Sequence, residues 1–580
     1  MKKKTLGRLI TGIMVASLLT GCGNSETEAA RATVAEEIMT EKEANNIFVE
    51  TSPEYEYPTE TEATCEEAYD IEYNGSNNKT DVFRDTAPSY QEECETSIYD
   101  DYYGHSYNDN EEYSVIKENG FSDAKTNPLS TFAADVDTAS YSNFRRFVDD
   151  GYRLGEIPTG AIRTEEMVNY FTYNYDQPSG KDIFGVNATI SDCPWNRDSK
   201  LMVLGINTKD MQPEKRPDSN IVFLIDVSGS MKSANKLPLI QSSMEMLVDQ
   251  FGENDRISIV TYASGTDVVL DSEFGDSHRR IMRAFNRLKA GGSTNGGDGI
   301  KLAYELAEKN FIEDGVNRVI ICSDGDFNVG LTSQSELEDL IKKEKESGVF
   351  LSVLGFGMRN YKDTKMETLA DCGNGNYAYI DTIGEAKKVF VDEMMQNMVT
   401  VAKDVKLQVE FNPALVSEYR LVGYENRALA AQDFKDDTKD GGELGAGHEV
   451  TAIYEIKLAD DKNSDSDLKY QDNELTEKGK AQDEYCTVSV AYKDIDSDSS
   501  RYLEFPIDAD NYTRRPDDRF VFASSVAECS LALRNSEYLV DVSPEEAIED
   551  IIEKLEEMDR LDEYQKEFVE LLEMIIYKRR

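Results

Sequence analysis

The sequence predicts an α/β protein: a mostly parallel sheet covered by helices on both faces. An α+β segment precedes it, and a β-rich segment ending in helices follows. Three observations predict this. Between Ser219 and Val401, short apolar runs alternate with longer stretches of helical apolar spacing, the pattern of strands joined by crossover helices. Beyond Lys403 the period drops to two, as in Val405-Lys406-Leu407-Gln408-Val409-Glu410-Phe411. From Ser543 onward, Ile548, Ile551, Leu555 and Met558 return to helical spacing. The chain has 580 residues, well above the ~100–200 of one ordinary domain. Five regions are expected: 1–22, 23–120, 121–215, 216–401 and 402–580.

Residues 1–22 read as a targeting segment. Lys2-Lys3-Lys4 and Arg8 precede an apolar stretch, Leu9 to Leu19, too short to span a bilayer. Leu19-Thr20-Gly21-Cys22 matches a bacterial lipobox, which makes Cys22 the expected lipidation site and the mature N-terminus. The expected location is a cell membrane, lipid-anchored on the extracytoplasmic face, rather than inserted through the bilayer. Residues 23–120 read as an acidic, disordered tether. Gly23 to Tyr113 holds 25 Asp and Glu against 4 Lys and Arg, too polar to offset chain entropy by burial. Its Tyr-rich part, with Tyr99, Tyr102, Tyr103 and Tyr107, has a binding motif as its alternative reading.

The whole chain carries 113 acidic and 62 basic residues, a formal net charge of −51. That argues against nonspecific nucleic-acid binding, which relies on Lys and Arg at phosphates. The eight Cys include Cys22 and are thinly spread, so no disulfide scaffold is expected, although Cys65 and Cys94 have a spacing that permits a bridge. With three His and no CxxC, a zinc site is not expected.

In the region 121–215, Leu129 to Ala134 reads as a strand, with Asp137 or Thr138 capping the helix that carries Phe144 and Phe147. A second metal site at Asp135 and Asp137 is the weaker reading. A helix fits Arg163 to Phe171, and strands fit Val186–Ile190 and Leu201–Ile206 around a turn at Cys193-Pro194-Trp195-Asn196. The central region gives strands at Ile221–Ile225, Ile257–Tyr262, Val268–Leu270, Val319–Cys322, Phe350–Leu354 and Tyr377–Ile380. Helices fit Leu237–Phe251, Ser277–Leu288, Ile300–Phe311, Ser335–Ser347, Asp363–Asp371 and Ile383–Met398. Gly355-Phe356-Gly357 lacks the third glycine and downstream acid of a dinucleotide loop and reads as a tight turn. The last region gives strands near Val405–Phe411, Val450–Ile456, Thr487–Tyr492 and Arg501–Phe505, with a polar insertion at 459–483. His448 reads as a turn residue. Ser543-Pro544-Glu545-Glu546 is a capping box, and Phe568, Leu571 and Ile575 mark a final helix whose apolar face packs into the core.

The residues that carry chemistry lie in three loops. Asp226-Val227-Ser228-Gly229-Ser230 follows an apolar strand, so an acid and two alternate hydroxyls stand at its carboxyl end, where open α/β sheets bind ligands. Oxygen ligands suit a hard divalent cation. Gly291-Gly292-Ser293-Thr294-Asn295-Gly296-Gly297-Asp298-Gly299 and Val319-Ile320-Ile321-Cys322-Ser323-Asp324 each bring a further oxygen residue to the same end. Together these segments resemble the metal-ion-dependent adhesion site of a von Willebrand factor type A (VWA) domain. The resemblance implies a Rossmann-like VWA fold and a metal site of Asp226, Ser228, Ser230, Thr294 and Asp324. It also implies Mg²⁺, with Mn²⁺ or Ca²⁺ possible, and an open coordination position for an acidic group on a protein partner. The family often has Thr where this chain has Ser323, a residue that is not a ligand. The segments from Asn127, and from Phe411-Asn412-Pro413-Ala414 to Gly445-Ala446-Gly447-His448, resemble the N-terminal extension and C-terminal domain of unknown function in one subfamily of bacterial VWA lipoproteins. No catalytic residues are assigned, so a non-enzymatic binding protein is expected. The alternatives are an envelope scaffold stabilised by the metal, and a metal-assisted hydrolase with Asp326 or Asp298 as base.

Overall fold

Ser219–Asp226 carries eight consecutive buried residues, and such a strand must lie inside a sheet with layers above and below it. The computed structural model of the chain places it so. It describes residue 113 and residues 115–577, apart from 135–136, 213–214, 294–296, 326–333, 358–362, 440, 460–475, 477–478, 480–482, 496 and 498. The chain divides into two units, Met1–Asp100 and Asp101–Arg580, and the described residues belong to the second. Cys22, the acidic segment up to residue 112, Cys65, Cys94, Asp135, Thr294, Asp326 and most of the insertion at 459–483 fall outside the described residues. Among the described residues no helix is long and apolar enough to cross a membrane.

The central sheet runs Tyr377–Ile380, Phe350–Phe356, Val316–Ser323, Ser219–Asp226, Arg256–Tyr262, Thr266–Phe274. The first five strands are parallel and the last is antiparallel. Alternate side chains of Ser219–Asp226 serve opposite faces. Ile221, Phe223 and Ile225 pack with Leu237, Ile240 and Met244 of helix Leu237–Val248. Val222 and Leu224 pack with Ile300 and Ala303 of helix Gly297–Lys309. The continuous helix expected from Ile383 to Met398 is instead Ile383–Lys387, a π-helical stretch Lys388–Asp392, and Met394–Met398. In that register the buried Lys388 meets Glu393 and lies 4.5 Å from the ring centroid of Tyr170.

The segments before and after the core contribute strands to the same two sheets. One runs Ser122–Asp123, Val416–Val422, Glu449–Leu458, Lys200–Thr208, Phe184–Asp192. The other runs Ala428–Leu429, Leu129–Ala133, Thr400–Phe411, Glu484–Lys493, Ser500–Asp508, with Gly442–Gly445 pairing Thr400–Phe411 beside that path. Met202, Leu204 and Ile206 from the first sheet meet Leu407, Val409 and Val488 from the second. Leu201 and Val203, on the opposite face, meet a helical layer that includes Phe144, Phe522, Ile548 and Phe568.

The capping box forms as expected: the Ser543 amide donates to Glu546 Oε2 at 3.1 Å, and the Glu546 amide donates to Ser543 Oγ at 3.3 Å. Helix Asp518–Leu533 is an addition that periodicity does not reveal. It is buried almost all round, so no polar face marks it. Of the two residues expected to cap the next helix, Thr138 takes the position and Asp137 is drawn elsewhere. Thr138 holds the cap position of helix Ala139–Asp149 without a side-chain cap bond. Asp137 instead accepts from Arg427 Nη2 at 3.0 Å and from the Tyr377 amide at 3.3 Å. A guanidinium compensates a buried carboxylate better than a helix amide does.

Three arginines tie the core to the segments around it. Arg427 reaches Asp137, Glu367 and Asp371 at 3.0, 2.8 and 3.0 Å. Arg163 joins Glu166 and Glu367 at 2.6 and 3.1 Å, and Arg145 joins Asp381 and Glu385 at 2.6 and 2.9 Å. Glu165 beside this network accepts from the Tyr424 amide at 3.0 Å. Burial pushes its pKa up to about 7, and the charges of Glu425 and Glu166 add to the rise.

The folded protein therefore keeps a proton on Glu165 that the unfolded chain loses at a lower pH. The contribution to stability is complete below the unfolded value and is lost as pH rises through about 7. Glu165→Gln should exceed the parent protein in stability at pH 8 by on the order of 2 kcal/mol, the two converging toward pH 4. Urea unfolding at both pH values measures this, and a variant weaker at pH 8 contradicts it.

Candidate metal centre

Asp226 ends its strand fully buried, with an apolar run behind it and loops ahead. Its Oδ1 accepts from the Ser228 amide at 2.7 Å, and its Oδ2 has no hydrogen-bond partner among the described residues. Burial pushes its pKa up to about 6; nearby Asp324 raises it further, while the Ser228 hydrogen bonds and Lys236 oppose the rise. Ser228 Oγ lies 2.9 Å from Ser230 Oγ, both in the turn leading through Gly229–Lys232. The loop thus presents two hydroxyls beside a carboxylate oxygen that nothing in the described protein satisfies.

The second loop is laced to the first. The Gly229 amide donates to the Gly292 carbonyl at 3.0 Å, and the Gly291 amide donates to the Val227 carbonyl at 2.7 Å. The Ser293 amide donates to Ser264 Oγ at 2.9 Å. Gly292 adopts φ +90°, and a Cβ there would lie 2.6 Å from Ser264 Oγ. Thr294, two residues on, is among the residues not described.

Asp324 follows strand Val316–Ser323, which pairs directly with Ser219–Asp226. Adjacent parallel strands thus bring both acids to one end of the sheet. Asp324 is fully buried and its Oδ2 accepts from Lys236 Nζ at 2.8 Å. Four of the five expected metal residues, Asp226, Ser228, Ser230 and Asp324, therefore have positions here. Lys236 is a site residue that sequence reasoning missed. It stands just before a helix, where a lysine carries no distinguishing pattern. Among the described residues no three His, Cys, Asp or Glu side chains cluster as metal ligands. An ion at this end would rest on two carboxylates and two hydroxyls. That oxygen-only set, with one buried carboxylate oxygen unpartnered, fits a hard divalent cation.

Residues 220–392 match the von Willebrand factor type A domain, and residues 107–203 match a von Willebrand factor segment. Residues 396–576 match the C-terminal region of uncharacterized protein YfbK. YfbK of Escherichia coli (strain K12) is 43% identical over 439 residues, covering 74% of this chain and 75% of its own. The chain belongs to the YfbK family of von Willebrand factor type A domain proteins. Uncharacterized protein sll0103 of Synechocystis is 26% identical over 235 residues, 40% of this chain and 54% of that protein. Among solved structures, a von Willebrand factor type A protein from Catenulispora acidiphila aligns with TM-score 0.40 and 16% identity, over 70% of this chain and 91% of that one. Type A domains often mediate protein interactions and metal-dependent adhesion.

The lacing of the loops depends on Gly292. Gly292→Ala forces a Cβ into Ser264 at an unfavourable φ and should cost about 1–3 kcal/mol. Chemical denaturation measures this, and an unchanged unfolding midpoint contradicts it.

Proposed function

We propose that this chain is a membrane-anchored, extracytoplasmic binding protein rather than an enzyme. In this reading it engages a protein partner through a divalent cation at a metal-ion-dependent adhesion site. Asp226, Ser228, Ser230, Thr294 and Asp324 would hold the ion, Mg²⁺ by preference, with Mn²⁺ and Ca²⁺ compatible with the same oxygen donors. The observation that carries the reading is the buried Asp226 Oδ2, left unsatisfied beside two hydroxyls and a second buried acid. When bound, the ion supplies positive charge and a coordination position that a carboxylate can enter. The chain's own contribution is orientation. The Ser228 amide fixes one Asp226 oxygen, the Gly229–Gly292 bond holds the first two loops together, and adjacent strands set Asp226 beside Asp324.

An acidic side chain on a protein is the ligand class such a site selects. The lipobox at Cys22 supports the membrane location, and the acidic segment after it supports display away from the surface, since like charges extend a linker. The net charge of −51 disfavours nucleic acid as the partner.

Asp226→Ala should abolish metal-dependent crosslinking and pull-down of the partner from the native envelope while the protein stays folded, and chelator should do the same to the parent protein. Capture that survives chelator contradicts the proposal. A large gain in melting temperature with Mg²⁺, but no partner that depends on it, replaces the proposal with a metal-stabilised scaffold.

A further inference from the structure

We propose that Lys236 is the internal counter-cation of the ion site: it holds Asp324 when no ion is present, and it weakens and so sets the affinity for a divalent cation. The inference rests on the ion-binding reading above and adds the residue that tunes it. Lys236 Nζ donates to Asp324 Oδ2 at 2.8 Å, and the two side chains are 7% and 0% exposed. Lysine normally extends its ammonium into water. Here three separate elements keep it in. The Lys236 amide donates to the Ser233 carbonyl at 3.0 Å, and its own carbonyl accepts from the Ile240 amide at 2.9 Å, which anchors the residue at the start of helix Leu237–Val248. Its stem passes over Gly357, where a Cβ would lie 2.3, 2.4 and 2.8 Å from Lys236 Cε, Cγ and Cδ. Tyr379 Oη donates to the Gly357 carbonyl at 2.8 Å and pins the residue just after strand Phe350–Phe356, a strand that includes Gly355 and Phe356, where the sequence predicts a tight turn. The glycine at the end of Gly355-Phe356-Gly357 thus clears a path for a lysine into the site.

The charges give the consequence. Among the described residues, one ammonium stands against the Asp226 and Asp324 carboxylates, so these three groups together carry a single net negative charge in the absence of an ion. The Ser228 and Ser230 hydroxyls leave that unchanged. A divalent cation then makes the loaded site positive by one, and an incoming carboxylate restores neutrality. With an uncharged residue at 236 the loaded site would already be neutral, and its electrostatic demand for an acidic partner would disappear. The same ammonium competes with the ion for Asp324 and repels it at short range. In the ion-free protein it brings positive charge to two buried carboxylates whose burial is costly.

The test uses the full chain and Mn²⁺ alone, with calorimetry for affinity and melting in chelator or Mn²⁺ for stability. Lys236→Gln should bind Mn²⁺ at least about tenfold more tightly than the parent protein. It should melt below the parent in chelator and show the larger rise with Mn²⁺, while Lys236→Arg stays near the parent. Lys236→Met, which retains the apolar stem, is held to the same criterion if the glutamine variant does not fold. Saturable Mn²⁺ binding with equal affinity in parent and variant overturns the role of Lys236 and leaves the ion site standing. No Mn²⁺ binding in either protein overturns both.

Discussion

Asp226 places an ionisable group at the end of a strand with no exposed residue, and the free energy of that placement depends on what faces it. An unpaired charge in a protein interior costs several kcal/mol even after relaxation. Here one oxygen is met by the Ser228 amide, while the other finds no partner among the described residues. The adjoining strand contributes Asp324, which makes the local charge worse, and Lys236 relieves it in part. A buried acid retained in this way is electrostatically unfavourable, and under the proposed function a bound cation would relieve it. The surrounding architecture makes that arrangement persist. Parallel pairing sets Asp226 beside Asp324, and backbone bonds between the first two loops prevent the hydroxyls from drifting away.

The core cannot be understood apart from its flanks. The chain runs through Lys200–Thr208 in one outer sheet, builds the central sheet, and re-emerges in Thr400–Phe411 of the other. Both ends of the core are therefore held by strands of one packed pair of sheets. Arg145, Arg163 and Arg427 add charged ties whose partners lie on both sides of the junction. Removing one member of such a buried pair is much more costly than never having had it, because its partner stays buried and charged. This makes the junction specific.

The parts legible in the sequence are those where one local pattern decides the outcome. Ile221 to Ile225 is apolar throughout because both faces are covered. Ser543 to Glu546 caps its helix with contacts three residues apart. Asp226 ends its strand and Asp324 directly follows the next one, where an acid has no packing reason to be, and Ser228 and Ser230 stand in the loop just beyond Asp226. The illegible parts depend on partners remote in sequence. Asp137 looks like a helix cap until Arg427, 290 residues away, is placed against it. The pairing of Leu129–Ala133 with Thr400–Phe411 joins segments separated by the entire core. Helix Asp518–Leu533 has no polar stripe, and in the π-helical stretch Lys388–Asp392 the buried Lys388 lies over Tyr170, more than 200 residues away. Lys236 belongs to the same class, since its role exists only because Gly357 lets it through.

Under the proposed function, the unsatisfied Asp226 oxygen and its neighbours form one divalent-ion site. The most direct measurement is anomalous diffraction at the manganese edge from crystals of the protein grown with Mn²⁺. A single strong peak is expected between Asp226 and Asp324, in contact with the Ser228 and Ser230 hydroxyls. Crystals with no peak there, or with manganese bound only elsewhere on the acidic surface, would contradict it.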